Sequence, residues 1–282
     1  MRLGEKQDLM ISRKVEFGVY LTEPESEELR KAEESVLLPK KEVPEGAGIG
    51  DTVRVFLYKD SKDRLIATTA DPAVTLGKTA ILKVKETGKI GAFLDWGLPK
   101  DLLLPFREQT KKVRSGEEVL VALYIDKSSR LCATMNVYPY LKQNSPYQIG
   151  DMVKGRIYEK SDNFGVFVAV DDQYSGLIPK REAQGTYLIG DIIEARITNV
   201  KEDGKLDLSV RQKAYLQIES DAELVLKVID EFDGVLPFND KVSPDVISRE
   251  FGLSKNAFKR AVGNLLKNGK IEITENRIIR KD

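Results

Sequence analysis

Two phenylalanines flank a glycine in the stretch NFGVFV, residues 163–168. The valines of this stretch alternate as the buried residues of a half-buried strand do, and that alternation turns Phe167 to the opposite, solvent-facing side. Phe164 and Phe167 are three positions apart, so they share one surface only if Gly165 carries a bulge or an irregular turn. An exposed ring of this kind can stack on a flat molecule or pack against a neighbouring domain, and both interpretations are open at this point.

The composition excludes the common catalytic and metal-binding sites. The 282 residues include no histidine and one cysteine, Cys132, so histidine-based triads, cysteine–histidine pairs and ordinary zinc sites are impossible. The acidic stretches near residues 23–35 and at Asp171-Asp172 are more typical of a solvated loop or helix and of a hairpin turn than of a metal site. We therefore predict a protein that is not an enzyme and uses no cofactor or metal, with Cys132 as a small buried apolar residue.

Charge and hydropathy narrow the class of partner and the location. Lysine and arginine together number 45, as do aspartate and glutamate, so a polyanion would have to be bound by a local arrangement of cations rather than by a global field. The apolar runs are far shorter than a membrane span, and the start MRLGEKQDLM lacks the apolar core of a secretion signal. These features predict a cytoplasmic protein without membrane contact.

One pattern occurs three times along the chain. The segments EFGVYL, KIGAFL and NFGVFV are each followed by a proline-containing segment, namely VLLPKKE, LLLPFRE and GLIPKRE, and each proline lies eleven positions before a second glycine. The aligned positions are Gly18, Gly91 and Gly165, then Pro39, Pro105 and Pro179, then Gly50, Gly116 and Gly190. In the first copy the acidic stretch near residues 23–35 is inserted between the first glycine and the proline, as is typical of a loop.

Each copy is long enough for a small closed barrel and too short for a sandwich. It has about seventy residues and some five strands separated by polar turns. We predict a mainly β protein with three tandem five-stranded barrels at residues 1–70, 71–142 and 143–214, followed by a small α+β domain at residues 215–282.

The last domain has a different pattern. After Gln212 the period-two alternation gives way to three helical segments followed by two short strands, an order that looks like a winged helix. The sequence predicts that Ser243 and Ser254 cap the second and third helices and that Gly269 ends the third. It also predicts a buried stripe on the third helix, formed by Phe258, Val262, Leu265 and Leu266.

Charge is separated within this domain. Residues 218–253 carry three basic and nine acidic side chains, whereas residues 254–281 carry eight basic and two acidic ones. The cations of the third helix, Lys255, Lys259, Arg260 and Lys267, therefore lie at the positive end of a dipole, where winged helices usually contact nucleic acid. An ordinary solvated face and a protein-binding surface are the alternatives.

The third copy resembles the S1 RNA-binding domain, an oligonucleotide-binding barrel, and the first two copies resemble it more loosely. The resemblance rests on the order of the NFGVFV strand, the GLIPK turn, the GD strand and the KLDLS strand. It implies that the rings beside the glycine lie on the nucleic-acid face, namely Phe164 and Phe167, with Phe17, Tyr20 and Phe93 as weaker counterparts. The basic neighbours that would follow a phosphate backbone are Lys180, Arg181, Lys201, Lys205 and Arg211. In the second copy, Trp96 is expected to pack at a domain contact.

The order of three S1-like barrels and a winged helix resembles the bacterial conserved virulence factor B family over essentially the whole chain. The resemblance implies a cytoplasmic RNA-binding protein, without catalysis of its own, that acts in post-transcriptional regulation and in the regulation of virulence. Single-stranded RNA is the expected partner, other nucleic acid is a further candidate through the winged helix, and an oligomer is not implied. The alternative is a protein-interaction adaptor of transcription or RNA-degradation machinery.

Overall fold

The computed structural model describes residues 1–24, 35–183, 185–210 and 214–281, with side chains of the last range from residue 218 onward. These residues form two compact units, one ending at Val210 and one following it. Most of the predicted acidic insertion and the predicted contact residue Arg211 lie outside the described residues. The domain boundaries predicted from the sequence stay predictions. No helix in the described part of the chain is long and apolar enough to cross a membrane.

Three five-stranded β-sheets make up the first unit. The first sheet comprises β1 (Lys6–Val15), β2 (Gly18–Thr22), β3 (Val36–Pro39), β4 (Thr52–Lys59) and β5 (Leu65–Thr68). The second comprises β6 (Thr79–Thr87), β7 (Gly91–Asp95), β8 (Leu102–Pro105), β9 (Glu118–Ile125) and β10 (Leu131–Thr134). The third comprises β11 (Met152–Ser161), β12 (Gly165–Val170), β13 (Tyr174–Pro179), β14 (Ile192–Val200) and β15 (Leu206–Ser209).

The three sheets share one topology. The first closes into a barrel in the order β1-β2-β3-β5-β4 and the third in the order β11-β12-β13-β15-β14, and the pairs β3–β5 and β13–β15 that close them are parallel. The second sheet has the same strand order, but its described end strands, β8 and β10, lie side by side without pairing. The predicted mainly β class with three barrel-like sheets is confirmed, and the second barrel is open at this seam.

The repeated glycines and prolines form fixed backbone corners of each barrel. Across the second and third strands, Gly18 pairs with Pro39, Gly91 with Pro105, and Gly165 with Pro179. At Gly165 the backbone φ is +122°, and a Cβ atom there would lie 2.1 Å from the carbonyl oxygen of Ile178, so no residue with a side chain fits. The N–H of Gly190 donates to the carbonyl of Ile157 at 2.8 Å, beside a β-bulge in β11. The constant spacing in the sequence therefore reflects backbone geometry.

A glutamate three positions after each repeated proline ties the turn to the last strand of its barrel. Glu42, Glu108 and Glu182 accept hydrogen bonds from the hydroxyl groups of Thr68, Thr134 and Ser209, respectively. The second and third of these bonds measure 2.7 and 3.0 Å. The glutamate of the PKKE, PFRE and PKRE motifs is therefore part of the barrel framework, a role that the sequence comparison did not assign.

Both faces of β12 are covered along most of its length. Val166, Val168 and Val170 point into the third barrel and are buried, as the alternation predicts. On the other face Ala169 is fully buried against residues of the second barrel and of the segment that follows it. Phe167 is half-buried beside this cluster. The prediction that this side of the strand faces solvent is thus corrected. The neighbouring barrel covers it, and it is accessible to solvent only near Phe167.

Trp96 and Cys132 are both buried, as predicted. The Trp96 ring packs edge-on against Phe56 and Tyr58 of the first barrel, at centroid distances of 5.8 and 6.4 Å. Burial raises the pKa of the Cys132 thiol to about 11. The thiol therefore stays protonated, and so unreactive, at neutral pH.

The second unit is a winged helix. Its elements are α1 (Ala214–Glu231), β16 (Val235–Leu236), α2 (Pro244–Phe251), α3 (Lys255–Lys267), β17 (Ile271–Ile273) and β18 (Ile278–Arg280), with the strands in the order β16-β18-β17. Ser254 caps α3 by accepting the N–H of Ala257 at 3.2 Å. Ser243 occupies the N-cap position of α2, with Pro244 in the first turn, but its side chain makes no capping bond.

The buried stripe of α3 differs from the prediction at one position. Phe258, Val262 and Leu265 are buried, but Leu266 is 47% exposed and Ala261 is buried in its place. The buried positions follow the i, i+3, i+4, i+7 spacing of one helix face. Leu266 lies about 100° further around the helix than Leu265 and therefore falls outside that face.

Candidate nucleic-acid interface

A cleft of about 460 Å³ opens on the third barrel beside the start of β12. Its walls come from the end of β11 and the turn before β12, from the stretch 201–206, and from the segment that connects the second and third barrels. The lining residues are Tyr138, Glu159, Ser161, Phe164, Phe167, Ser175, Gly176, Leu177, Lys201, Asp203, Lys205 and Leu206. Four of the residues predicted from the sequence, two rings and two lysines, are therefore brought together here.

Phe164 and Phe167 line this cleft as neighbours. β12 begins at Gly165, whose positive φ redirects the chain and brings Phe164 beside Phe167. The two ring centroids lie 6.3 Å apart with an interplanar angle of 63°. Phe164 is 63% exposed, whereas Phe167 is half-buried. A flat ligand has free access to Phe164 and meets Phe167 deeper in the cleft.

A third ring, Tyr138, was missed by the sequence reasoning. Its centroid lies 6.1 Å from that of Phe167 with an interplanar angle of 73°, and its side chain is 44% exposed. It lies in the 3₁₀ turn Tyr138–Tyr140 between the second and third barrels. The signal that could have found it is the YPY tripeptide, because two rings around a proline in a short connection mark a rigid turn with aromatic side chains.

A buried tyrosine packs against Phe167. Tyr158 is 4% exposed, and its ring centroid lies 6.1 Å from that of Phe167. Burial raises the pKa of the Tyr158 phenol, so it stays neutral at physiological pH. Phe167 consequently contacts three rings, of which Tyr158 is buried and Tyr138 and Phe164 are exposed.

Charges in the cleft are balanced in pairs. Lys201 lies 3.2 Å from Asp207, and Lys205 lies 2.7 Å from Asp203. The hydrogen bond between Lys205 and Asp203 raises the pKa of the lysine and lowers that of the aspartate, so both are charged at neutral pH. Glu159 adds a further carboxylate to the lining. The cleft therefore attracts an anion only where a phosphate replaces one of these carboxylates as the lysine's partner.

Other predicted residues of the barrels lie elsewhere. Lys180 and Arg181 are exposed in the turn after Pro179 and do not line the cleft. Phe17 is 58% exposed on the first barrel. Tyr20 is half-buried, and the guanidinium of Arg13 lies 4.1 Å from its ring centre, so one face of this ring is already covered.

Phe93 lines a second, smaller cleft of about 250 Å³. This cleft lies where the second barrel meets the first, and its other lining residues include Ile90, Trp96 and Arg130. Ile90 occupies the position that Phe164 has in the third barrel, so the pair of rings found there is reduced to one.

The cations of the winged helix lie on the outer part of α3. Lys259, Arg260 and Lys267 are exposed and Lys255 is half-buried. Within the part of the chain that the structure describes, none of the four forms a salt bridge with an acidic residue. Unlike the lysines of the cleft, these side chains are open to a phosphate without loss of an existing pair.

Comparison with known proteins decides the family. The family described as S1 domain matches residues 3–70 and 76–136, the S1 RNA binding domain matches residues 147–211, and the CvfB-like winged helix domain matches residues 223–279. Conserved virulence factor B of Staphylococcus haemolyticus is 31% identical over 81% of this chain and 79% of its own length. That of Staphylococcus epidermidis is 30% identical over 87% and 86%. The chain belongs to the conserved virulence factor B family.

Two further proteins are similar to this member of the conserved virulence factor B family over nearly its whole chain. Uncharacterized protein YitL of Bacillus subtilis is 29% identical over 96% of this chain and 91% of its own. A solved multidomain protein with nucleic acid binding domains from Streptococcus pneumoniae is 25% identical over 99% of this chain and 98% of that one, with a TM-score of 0.49. The family models that match this chain are S1 domains, one of them described as RNA binding, and a winged helix, and these domain types are typically not catalytic.

Proposed function

We propose that this protein binds single-stranded RNA in the cleft of the third barrel and regulates gene expression after transcription, in the cytoplasm and without catalysis. The observation that carries the proposal is the combination of exposed rings and lysines in one cleft of the segment that matches the S1 RNA binding domain. A dry apolar patch at this place would instead favour a protein-interaction adaptor. The lysines among the rings support RNA.

Stacking is the main source of affinity in this proposal. A base stacked on an aromatic side chain contributes about 1–3 kcal/mol, and because every base has a flat face, such a site has weak sequence preference. Phe164 offers an exposed ring for this contact. The faces of the bases are covered inside a duplex, so a stacking cleft selects single strands.

The winged helix provides a second nucleic-acid contact. Lys259, Arg260 and Lys267 on α3 are exposed and belong to the basic part of this domain. These side chains attract phosphate groups without giving up an existing partner. In the cleft, a lysine binds a phosphate only if the phosphate replaces the paired aspartate. We therefore assign base stacking to the third barrel and most of the charge-dependent affinity to the winged helix.

Binding to matched nucleic acids tests the proposal. Fluorescence anisotropy would compare one 20-nucleotide sequence as labelled single-stranded RNA, as single-stranded DNA and as duplex DNA. We expect the tightest binding to single-stranded RNA and the weakest to the duplex. Equal or tighter binding of the duplex, or no binding of RNA at low salt, would contradict the proposal.

The regulatory role requires a test in cells. Ultraviolet crosslinking followed by purification of the protein would recover bound transcripts, and a strain with Phe164→Ala would serve as the control. We expect RNA recovery to fall in the variant at unchanged protein level. If bound proteins but no crosslinked RNA were recovered from either strain, the result would instead support the function of a protein-interaction adaptor.

A further inference from the structure

We propose that Tyr138 is part of the RNA-binding site of the third barrel, which makes this site a composite of the barrel and the segment before it. The inference rests on the proposed function and deepens it. The S1 matches end at residue 136 and resume at residue 147, so Tyr138 belongs to neither matched domain. An isolated third S1 domain would therefore lack one wall of its own cleft.

The position of Tyr138 is that of a wall. Its ring stands close to perpendicular to that of Phe167, at 73° and 6.1 Å, and Phe164 contacts the same Phe167 ring at 6.3 Å. Tyr138 is 44% exposed, so nearly half of its surface remains available to a ligand. Because Phe164 and Tyr138 line the same cleft, a base that enters it has the exposed surfaces of both rings within the site.

The backbone that carries Tyr138 is fixed on both sides by buried residues. Val137 is fully buried and Leu141 is 6% exposed, and both belong to the apolar cluster between the second and third barrels. The N–H of Tyr140 donates to the carbonyl of Val137 at 2.9 Å and closes the 3₁₀ turn, in which Pro139 restricts the backbone further.

The segment is also bonded to the third barrel itself. The N–H of Lys142 donates to the carbonyl of Gln173 at 2.7 Å, and the N–H of Ser175 donates to the carbonyl of Lys142 at 3.0 Å. A Cβ atom at Gly204 would lie 2.1 Å from the carbonyl oxygen of Gln143, so the turn before β15 packs directly on this segment. Tyr138 is therefore held rigidly against the barrel that it serves, and little conformational entropy is lost when a ligand binds.

Lys205 links Tyr138 to the charges of the cleft. Its Nζ lies 5.6 Å from the centre of the Tyr138 ring and 2.7 Å from Asp203. The ring thus holds the ammonium group near the mouth of the cleft by a cation–π contact. A phosphate that follows the stacked base replaces Asp203 as the partner of this lysine.

The test measures RNA affinity of full-length variants. The probe is a fluorescein-labelled oligouridine of twelve nucleotides, and the variants are Tyr138→Ala, Tyr138→Phe, Phe164→Ala and Phe106→Ala. Phe106 is the matched control, because it is 56% exposed, lies in the 3₁₀ turn Phe106–Glu108 of the second barrel and does not line the cleft. We expect Tyr138→Ala to weaken binding about five- to tenfold, the low end of base stacking. Tyr138→Phe and Phe106→Ala are expected to bind like the wild type.

The outcomes separate this inference from the proposed function. Loss of affinity in Phe164→Ala with wild-type affinity in Tyr138→Ala overturns the inference and leaves RNA binding by the barrel intact. No RNA binding by the wild type overturns the proposed function itself. An equal loss in Tyr138→Phe would show that the hydroxyl group contacts the RNA, which supports the place of Tyr138 in the site but overturns its role as a stacking ring. If Tyr138→Ala does not fold, photocrosslinking of 4-thiouridine RNA to the wild type decides. An adduct on Tyr138 supports the inference, and adducts confined to other residues overturn it.

Discussion

Replacement of Phe164 by alanine separates stacking from packing at the exposed part of the cleft. The side chain is 63% exposed, so little ring surface leaves a buried environment on truncation. A phenylalanine side chain has a surface of roughly 200 Å², so about 70 Å² of Phe164 is covered. At about 25 cal/mol/Å², truncation lowers the free energy of unfolding by at most about 2 kcal/mol. The loss is smaller still because the compact denatured chain already covers part of this surface. The affinity for RNA, by contrast, is expected to fall by about 1–3 kcal/mol, or five- to 150-fold.

Val168→Ala is the matched control on the same strand. Val168 is fully buried in the core of the third barrel, and loss of two methyl groups together with the cavity left behind lowers the free energy of unfolding by about 2–3 kcal/mol. RNA binding by the folded fraction is expected to stay unchanged, because the side chain points away from the cleft. Urea denaturation and fluorescence anisotropy on both variants measure the two quantities independently.

Wild-type RNA affinity in Phe164→Ala would refute the stacking role of this ring, since a ring whose loss leaves the affinity unchanged contributes no stacking. Phe167→Ala is not expected to separate the effect on RNA affinity from the effect on stability. Its ring contacts those of Tyr138, Tyr158 and Phe164, and aromatic pairs each contribute about 0.5–1.5 kcal/mol beyond their buried area. This variant should therefore lose both stability and affinity.

Three further predictions concern the barrel framework, pH and the winged helix. Glu108→Ala should lower the free energy of unfolding by about 1–3 kcal/mol in urea titrations, because a hydroxyl donor loses its acceptor, while Glu108→Gln should retain most of it. RNA affinity should be constant from about pH 6 to 8.5, because the chain has no histidine that titrates in this range. Over the same range Asp203, with its lowered pKa, stays ionised and Lys205, with its raised pKa, stays protonated. A midpoint near neutrality in the plot of affinity against pH would contradict these assigned charges. Lys259→Glu on α3 should weaken binding and reduce the slope of log affinity against log salt by about 0.7 or more, whereas Lys227→Glu, exposed on α1, should leave that slope unchanged.

The barrels were predictable because their signals are local and geometric. The glycine that pairs with a proline across two strands, as Gly165 does with Pro179, is required by the backbone itself, so its spacing recurs in every copy. Strand alternation likewise identified the buried valines of β12. What a strand packs against on its second face depends on the neighbouring barrel, and this is why the partial burial of Phe167 was missed.

The composition of the site was less predictable for the same reason. Tyr138 reaches the cleft from outside the repeat, through contacts that only the packing of two barrels creates. Tyr20 matched the expected position of a stacking ring, but its partner in the strand register is Arg13, whose guanidinium covers the ring. Cross-strand register determines such a pair, and the repeat pattern alone does not reveal it.

A chain with no net charge can bind a polyanion if attraction and recognition are divided between its parts. In the cleft, the two lysines are each paired with a carboxylate, so phosphate binding there gains little beyond an exchange of partners, and the rings supply the net free energy. On α3, the exposed cations have no described acidic partner, so counterion release should make the proposed contact with RNA strongly dependent on salt. Raising the salt concentration should therefore remove the winged-helix contribution first and leave a weaker affinity that depends little on salt and that falls by about 1–3 kcal/mol in Phe164→Ala.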